Sequence, residues 1–202
     1  MRNEPEKSDG RCPWCGDQPD YIAYHDHVWG RPVTDRNELF GKLCLDGQQA
    51  GLSWLTILRK QPGYRALFAD FIPERVARYS ATDIDQCLRD RRIVRNRRKL
   101  EAIVENARAL LAMEAAGEDF TFFLWSFVGG TPIINEWVQV RDIPAATPES
   151  RAMSEALKKR GFRFVGPTIC YAFMQAVGMV NDHLVGCPVR GETLELSRTL
   201  RS

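Results

Sequence analysis

The chain has 202 residues, enough for one domain or two closely packed small ones, and 44% of them are hydrophobic and 27% charged. No apolar run approaches the roughly 20 residues of a membrane-spanning helix, and the polar start MRNEPEKSDG is unlike a secretory signal. We therefore predict a cytoplasmic protein that makes no membrane contact. The formal net charge of +2 is too small to indicate a class of partner.

Hydrophobic periodicity predicts helices along almost the whole chain, so the expected fold class is all-α. The first clear helix begins with Asp35 as its N-cap, and a second covers residues 51–68 with a break near the proline of QPGY. A third is expected over 81–91 with Thr82 as its cap, and a fourth over 96–116.

A short apolar helix follows at 119–129, after which residues 129–148 are irregular and hold at most one short strand. Two more helices are predicted, one from Thr147-Pro148 to about Arg160 and one from Gly166-Pro167 to about Gly178. Helical periodicity then ends.

The domain organisation predicted from these elements is one helical unit over residues 10–188. It consists of two closely packed helical subdomains with a cleft between them. The flanking segments, residues 1–9 and 189–202, are expected to be loose tails because they lack apolar periodicity.

The turn GFRFVG, residues 161–166, joins two of the predicted helices in a helix-hairpin-helix pattern. The free backbone N–H groups at the start of the second helix are suitable partners for a phosphate oxygen. Arg163 and Gly166 are therefore candidate DNA contacts, although an ordinary turn between helices fits the spacing equally well.

Residues 88–99, LRDRRIVRNRRK, carry seven basic side chains and one acid. A run of this kind is more often a solvated helix face than a binding site. It is also compatible with contacts to a nucleic-acid backbone.

Six cysteines without a secretory signal argue against a disulfide framework. Cys44, Cys87 and Cys170 lie among apolar residues and are predicted to be small buried hydrophobes. The other three cysteines and all three histidines form one group near each end of the chain: Cys12, Cys15, His25, His27, His183 and Cys187.

Thiolate and imidazole ligands in such pairs suit tetrahedral zinc, and four protein ligands would close its coordination. Spacing does not decide between Cys12 and Cys15, or between His25 and His27. Unrelated thiols and hydrogen-bonded histidines fit the same pattern. A redox dithiol in the segment CPWC is a further alternative, but such motifs belong near a βαβ unit, and this chain has little strand pattern.

Aromatic residues are concentrated near the start of the chain, with Trp14, Tyr21, Tyr24 and Trp29 inside sixteen residues. Farther along, the apolar segment LCLDGQQAGLSWLTIL holds a single charge, Asp46. A lone buried carboxylate is costly, so its presence in a core-like segment indicates a functional site. Aromatic rings beside a carboxylate are suited to hold a planar base, above all a cationic one.

Five stretches resemble the 3-methyladenine DNA glycosylase I family, and they run in order from about Arg11 to Cys187. They are YIAYHDHVWGRPVTD (21–35), LCLDGQQAGLSW (43–54), NRRKLEAIVENARA (96–109), FLWSFV (123–128) and KKRGFRFVGPTICYAFMQAVGMVNDHLVGC (158–187). The resemblance implies a helix-hairpin-helix glycosylase that excises 3-methyladenine from alkylated double-stranded DNA. We expect it to act as a monomer.

The resemblance also implies roles for individual residues. The structural zinc ion would be held by Cys12, His25, His183 and Cys187, leaving Cys15 and His27 outside the site. The base pocket would be formed by Trp14, Tyr21, Tyr24, Asp46 and Trp54, with Asp46 and Tyr24 as the catalytic pair. Gly51 and Leu52 match the segment that enters the duplex.

One position departs from the family pattern, which has glutamate where this chain has Asp46. Aspartate is one methylene shorter, so its oxygens lie about 1.5 Å farther from the base. The departure bears on base selectivity and rate more than on the fold. A zinc-stapled DNA-binding protein with lost or altered glycosylase activity is therefore the alternative function.

Excision of a cationic base needs no general acid, because the base leaves as a neutral molecule. Asp182, beside the expected ligand His183, is predicted to support its neighbours rather than to act as a catalytic acid. Because no lysine lies within residues 46–54, we expect a monofunctional enzyme without lyase activity.

Overall fold

In the computed structural model, which describes residues 9–199, the chain is helical almost throughout. The helices are α1 (Pro19–His27), α2 (Arg36–Gln49), α3 (Trp54–Leu67), α4 (Pro73–Val76), α5 (Ala81–Cys87), α6 (Arg97–Ala115), α7 (Phe120–Ser126), α8 (Pro148–Lys159), α9 (Pro167–Ala176) and α10 (Arg190–Thr199). Short 3-10 turns lie at Pro13–Cys15, Ala69–Phe71 and Val140–Asp142. The predicted all-α class is confirmed.

The only regular strands in the described part of the chain are β1 (Ile133–Ile134) and β2 (Val180–Asn181), which pair in parallel. This pairing attaches the irregular segment before α8 to the segment that follows α9. No helix among residues 9–199 is long and apolar enough to cross a membrane.

Helix α2 occupies the centre of the fold and packs against α3, α6, α7 and α9. Asp35 is its N-cap, as predicted, and accepts hydrogen bonds from the backbone N–H groups of Asn37 and Glu38. From Leu39 to Gln48 nearly every side chain is buried, including Asp46. Because neighbouring helices cover α2 on several sides, its sequence shows no single apolar stripe.

Helix α3 continues through Pro62, so the predicted break near QPGY is wrong. A proline inside a helix costs about 3 kcal/mol, which tertiary packing has to offset. Ile57 and Tyr64 of α3 are fully buried, and the Tyr64 hydroxyl donates to Gln48 Oε1 and accepts from the N–H of Val94. These contacts on both sides of Pro62 keep the helix in one piece.

Helix α5 is shorter than predicted, and its cap is Ser80 rather than Thr82. Ser80 and Asp83 form a reciprocal capping box, which requires a spacing of three residues. Because α5 ends at Cys87 and α6 begins at Arg97, most of the basic run 88–99 is a loop and not a helix face. Within this run, Arg92 pairs with Asp90 and Arg97 pairs with Asp85.

Helices α8 and α9 pack closely and are joined by the turn 160–166, in which Phe164 has a positive φ of 54°. Helix α6 holds this turn, since Asn106 accepts from the N–H of Arg163 and donates to its carbonyl oxygen. Gly47 of α2 lies against the turn, and a Cβ added there would be 3.1 Å from the Phe164 side chain. The turn therefore sits at the C-terminal end of α2.

The predicted C-terminal tail is wrong for most of its length, because α10 covers Arg190–Thr199. Its anchors are polar: buried Thr193 accepts a 2.9 Å hydrogen bond from Asn181. Such anchors leave little apolar periodicity for sequence analysis to detect. Of the predicted N-terminal tail only Asp9 is described, and residues 1–8 and 200–202 lie outside the described chain. The division of 10–188 into two subdomains stays a prediction.

Lys99 fixes the start of the segment between α2 and α3. Its side chain is buried, and Nζ donates to the carbonyl oxygens of Gln48 at 2.7 Å and Ala50 at 2.6 Å. These carbonyls lie at the C-terminus of α2, where a positive charge is favoured by the helix dipole. This member of the basic run therefore has a structural role.

We predict that Lys99→Met destabilises the protein by about 2 kcal/mol, because two carbonyls lose a charged hydrogen-bond donor. Urea unfolding followed by circular dichroism measures the change. Arg98→Met, at the exposed neighbouring position, is the matched control and should change stability by less than about 0.5 kcal/mol. Equal stability of the two variants would contradict the proposed anchoring.

Candidate active site and metal centre

A cavity of about 320 Å³ opens beside the C-terminal half of α2. Its lining comes from five parts of the chain: Trp14, Tyr21, Tyr24 and Trp29 near the start; Lys42, Asp46 and Gln49 of α2; Trp54; the segment Val140, Ile143, Pro144 and Ala145; and Tyr171, Ala172, Gln175 and Ala176 of α9. All five residues predicted to form the base pocket line this one cavity.

The aromatic lining forms a continuous set of ring contacts. Trp14 lies 5.3 Å from Tyr21 and 4.8 Å from Trp29, measured between ring centroids, and Tyr24 lies 5.4 Å from Trp54. Rings at these distances support one another in tilted and edge-on arrangements, which leaves faces available to a planar ligand. A cavity of this size and lining fits a single purine base.

Asp46 is only 1% exposed, and its partner is Lys42, one helical turn earlier on α2. The Lys42 ammonium donates to Asp46 Oδ1 and lies 3.9 Å from the centroid of the Trp54 ring. Burial raises the pKa of Asp46 and lowers that of Lys42, while their mutual attraction opposes both shifts. Burial, followed by the charge of Asp46, raises the pKa of Tyr24 well above its usual value.

The sequence analysis did not identify Lys42 as a residue of the cavity wall, and its position there weakens the expectation of a monofunctional enzyme. The expectation of a monofunctional enzyme rested on the absence of a lysine from residues 46–54, but the structure places Lys42 in the cavity wall. The missed signal was its position four residues before Asp46 on a predicted helix, where oppositely charged side chains meet.

Two polar atoms at this site are buried and lack a hydrogen-bond partner within residues 9–199. They are Asp46 Oδ2, an acceptor, and Trp54 Nε1, a donor. Buried polar atoms are nearly always hydrogen-bonded, so atoms without partners in a cavity wall indicate where a ligand binds. Together they offer one acceptor and one donor to a bound molecule.

Asp182 lies behind the cavity and is fully buried. Its Oδ2 accepts hydrogen bonds from the Tyr171 hydroxyl at 2.6 Å and from Gln175 at 2.8 Å, and both donors line the cavity. Its Oδ1 accepts from Asn135 and Trp137. With four donors on its two oxygens, Asp182 orients the cavity wall, in agreement with the supporting role predicted for it.

Cys12, His25, His183 and Cys187 come together in a buried cluster, with one ligand atom from each residue lying within 4.8 Å of the others. Cys187 Sγ is 3.5 Å from His25 Nε2 and 3.5 Å from His183 Nδ1. Zinc bound tetrahedrally at ordinary bond lengths requires a sulfur-to-nitrogen distance of about 3.6 Å. Two thiols and two imidazoles in this arrangement fit a metal ion.

The remaining nitrogen of each histidine has its own partner, as is usual for metal ligands. His25 Nδ1 lies 2.7 Å from Asp26 Oδ1, and His183 Nε2 lies 3.3 Å from the carbonyl oxygen of Trp29. Arg11 binds both oxygens of Asp26 and is the main cause that lowers the pKa of Asp26 to about 2. Cys15 is buried outside the cluster, and His27 is exposed.

The residues predicted to contact DNA lie on two turns. Gly51, with a positive φ of 77°, and Leu52, which is 40% exposed, lie on the turn between α2 and α3. Arg163 and Gly166 lie on the turn between α8 and α9, where Arg163 is exposed and pairs with Glu105. Both turns are at the C-terminal end of α2, because Gly47 packs against the second one.

Sequence analysis also missed Gln49, Tyr171 and Gln175 as parts of the cavity wall. They carry no motif, and only the packing of α2 against α9 brings them together. The segment 140–145 was assigned as irregular, which gave no indication that it covers one side of the cavity.

A sequence model of the methyladenine glycosylase family matches residues 14–190. The DNA-3-methyladenine glycosylase of Haemophilus influenzae is 54% identical over 180 residues, which cover 89% of this chain and 97% of that protein. DNA-3-methyladenine glycosylase 1 of Escherichia coli is 53% identical over 177 residues, with 88% and 95% covered.

A solved structure reports the structural basis of 3-methyladenine recognition by the 3-methyladenine DNA glycosylase I of Staphylococcus aureus. It superimposes on this chain with a TM-score of 0.88. It is 41% identical, with 91% of this chain and 98% of that chain covered. Both the sequence match and the fold extend over nearly the whole molecule. This chain belongs to the methyladenine glycosylase family.

Proposed function

We propose that this glycosylase hydrolyses the N-glycosidic bond of 3-methyladenine in alkylated double-stranded DNA, with the base held in the aromatic cavity against Asp46. The observation that carries the proposal is the buried Asp46 Oδ2 without a partner, in a cavity of purine size. An acceptor here fits the exocyclic amino group of adenine. The relatives named above are DNA-3-methyladenine glycosylases, which supports the same substrate.

A base stacked in a duplex is out of reach of this cavity, so the nucleotide must rotate out of the helix. Damaged bases stack and pair poorly, which lowers the cost of extrusion. The exposed Leu52 is suited to fill the gap that the nucleotide leaves, as apolar side chains do between base steps. The α8–α9 turn would act as a helix-hairpin-helix that holds the DNA backbone through Arg163 and the amides that follow Gly166.

Cleavage of the glycosidic bond needs little catalytic assistance from the protein, because 3-methylation leaves the base positively charged. As the C1′–N9 bond breaks, its electron pair neutralises the departing base and the sugar becomes an oxocarbenium ion. Water adds to this ion at C1′ and releases one proton to the solvent. The residues supply binding: the rings of Trp14, Tyr24 and Trp54 pack against the base, and Asp46 Oδ2 accepts an amino hydrogen. Asp182 has no part in proton transfer, since hydrogen-bond donors occupy both of its oxygens.

The cluster of Cys12, His25, His183 and Cys187 would hold zinc as a structural ion. Four protein ligands close the tetrahedral coordination, so the ion joins residues near the two ends of the chain and leaves no position for substrate. The ring of Trp29 lies 4.7 Å from His183 and also lines the cavity, so the cluster supports the pocket wall. We propose a monomer, since the cavity and the four-residue Cys/His cluster are formed without a second copy of the chain.

We predict that Asp46→Asn lowers single-turnover excision of 3-methyladenine about 100-fold, because the amide carries no negative charge. Asp46→Glu should stay within about tenfold of wild type, since the carboxylate remains. The measurement is chromatography of the bases released from methylated DNA. Glu155→Gln, an exposed acid on α8, is the control. Unchanged rates in both Asp46 variants would remove the carboxylate from the mechanism, and comparable release of 7-methylguanine would indicate a broadened pocket.

We predict one zinc ion per chain in protein produced with zinc in the medium, measured by inductively coupled plasma mass spectrometry. His25→Ala should lose the ion and melt several degrees lower, because the metal binds only the folded chain. His27→Ala, two residues farther along α1, should keep both the zinc and the melting temperature. Zinc-free wild type, or loss of metal in His27→Ala, would contradict the assignment.

We predict that Leu52→Ala lowers excision from duplex DNA about tenfold and excision from a single strand of the same sequence less than threefold, since only a duplex leaves a gap to fill. Both rates are measured under single-turnover conditions. Phe122→Ala, an exposed apolar residue on α7, is the matched control. Equal losses on the two substrates would contradict a wedge role.

A further inference from the structure

We infer that the basic run 88–99 forms a third DNA contact, in which exposed arginine side chains bind phosphates of the duplex backbone. The arginines are Arg91, Arg95 and Arg98. The inference rests on the proposed function, since it presumes a duplex seated with Leu52 in the base stack. Contacts to the phosphodiester backbone are independent of base sequence, so this surface adds affinity and orientation but no choice of base.

The end of the basic run lies next to both turns that are assigned to DNA. Lys99 bonds to two carbonyl oxygens at the C-terminus of α2, beside the turn that carries Leu52. Arg98, the preceding residue, lines a hollow together with Arg163 and Phe164 of the α8–α9 turn. A duplex held by these two turns therefore passes over the end of the run.

The middle of the basic run packs against α3, on the helix face opposite the base cavity. Trp54 of α3 lines that cavity. Lys60 and Gly63 face the other way and line a hollow of about 500 Å³ together with Arg92. The packing is close, since a Cβ added to Gly63 would lie 2.6 Å from the Arg92 Cβ, and Lys60 Nζ donates to the Arg91 carbonyl oxygen at 2.8 Å. Helix α3 thus separates the run from the base cavity.

Buried hydrogen bonds fix the backbone of the basic run in this position. The Tyr64 hydroxyl accepts from the N–H of Val94 and donates to Gln48 Oε1. Gln48 Nε2 in turn donates to the carbonyl oxygen of Lys99 at 2.8 Å, and the Ile93 side chain is buried. Folding alone therefore places the arginines beside the wedge turn, so that binding DNA orders side chains and leaves the loop unchanged.

The charges around the basic run leave three arginines without a counter-charge. Acids nearby are already engaged, in the pairs Arg92–Asp90, Arg97–Asp85, Arg97–Glu101 and Arg163–Glu105. The side chains of Arg91, Arg95 and Arg98 are exposed and have no hydrogen-bond or ion-pair partner among residues 9–199. A guanidinium group is always charged, and its fork of N–H donors matches the oxygens of a phosphate. The run therefore presents three free positive charges to a polyanion.

A variant that removes the three charges, Arg91→Gln/Arg95→Gln/Arg98→Gln, tests the inference. The probe is a short fluorescent duplex with a tetrahydrofuran residue in place of one nucleotide, and anisotropy gives Kd over a series of salt concentrations. Each phosphate contact contributes about 0.9 to the slope of log K against log salt, so the slope should fall in magnitude by about 2.7. Binding at about 50 mM salt should weaken by about 30-fold or more.

The matched control removes the same charge elsewhere, in Arg75→Gln/Arg78→Gln/Arg151→Gln. All three of these arginines are exposed. Arg75 and Arg78 lie in and just after α4, and Arg151 lies near the start of α8, far along that helix from the α8–α9 turn. Because the two variants have the same net charge, a difference in slope reports the position of the charges. The control should keep the wild-type slope within about 0.5 and the Kd within about threefold.

Single variants keep the test valid where the triple variant folds poorly, since each of the three substitutions should lower the slope by about 0.9. If wild-type protein releases no 3-methyladenine from methylated DNA, the proposed function fails and the inference fails with it. If wild type releases the base but the arginine variants keep its salt slope, only the inference is overturned.

Two other outcomes also overturn it. An equal fall in slope in the triple variant and in its control would reflect net charge rather than a contact. Binding of free 3-methyladenine should be the same in wild type and the triple variant, because α3 lies between the run and the cavity. Weaker binding of the free base would place the effect in the base cavity and not at the phosphates.

Discussion

The site depends on a carboxylate held inside the most buried helix of the molecule. Asp46 has almost no contact with water, and such a group stays ionised only with a close partner. Lys42 supplies that partner from the preceding turn of the same helix, so the pair forms whenever α2 forms. The packing of α2 between α3, α6 and α9 therefore sets both the fold and the position of the charged pair.

Contacts on the side of the wall that faces away from the cavity hold the lining residues in place. Asp182 fixes Tyr171 and Gln175, while the Cys/His cluster supports Trp29 through ring contact with His183. The two supports are adjacent in sequence, since Asp182 precedes His183. One short segment after α9 thus contacts lining residues from both α9 and the start of the chain, which explains how a wall drawn from both ends of the chain keeps its shape.

The sequence predicts those features of the fold that depend on interactions between neighbouring residues. The start of α2 was predictable because its cap, Asp35, is set by neighbouring residues. The path of α3 through Pro62 was not, because the contacts of Tyr64 with Gln48 and Val94 come from elsewhere in the fold. Helix α10 was missed for the same reason. The five predicted pocket residues do share one cavity, but that prediction came from family resemblance rather than from periodicity.

The aspartate at position 46 is best understood together with Lys42. A carboxylate one methylene longer would reach about 1.5 Å farther. With aspartate at this position, the Lys42 ammonium lies between the Asp46 carboxylate, to which it donates, and the Trp54 ring, whose centroid is 3.9 Å away. Because Lys42 occupies Oδ1, Asp46 offers a ligand in the cavity one acceptor oxygen, Oδ2, which has no hydrogen-bond partner within residues 9–199.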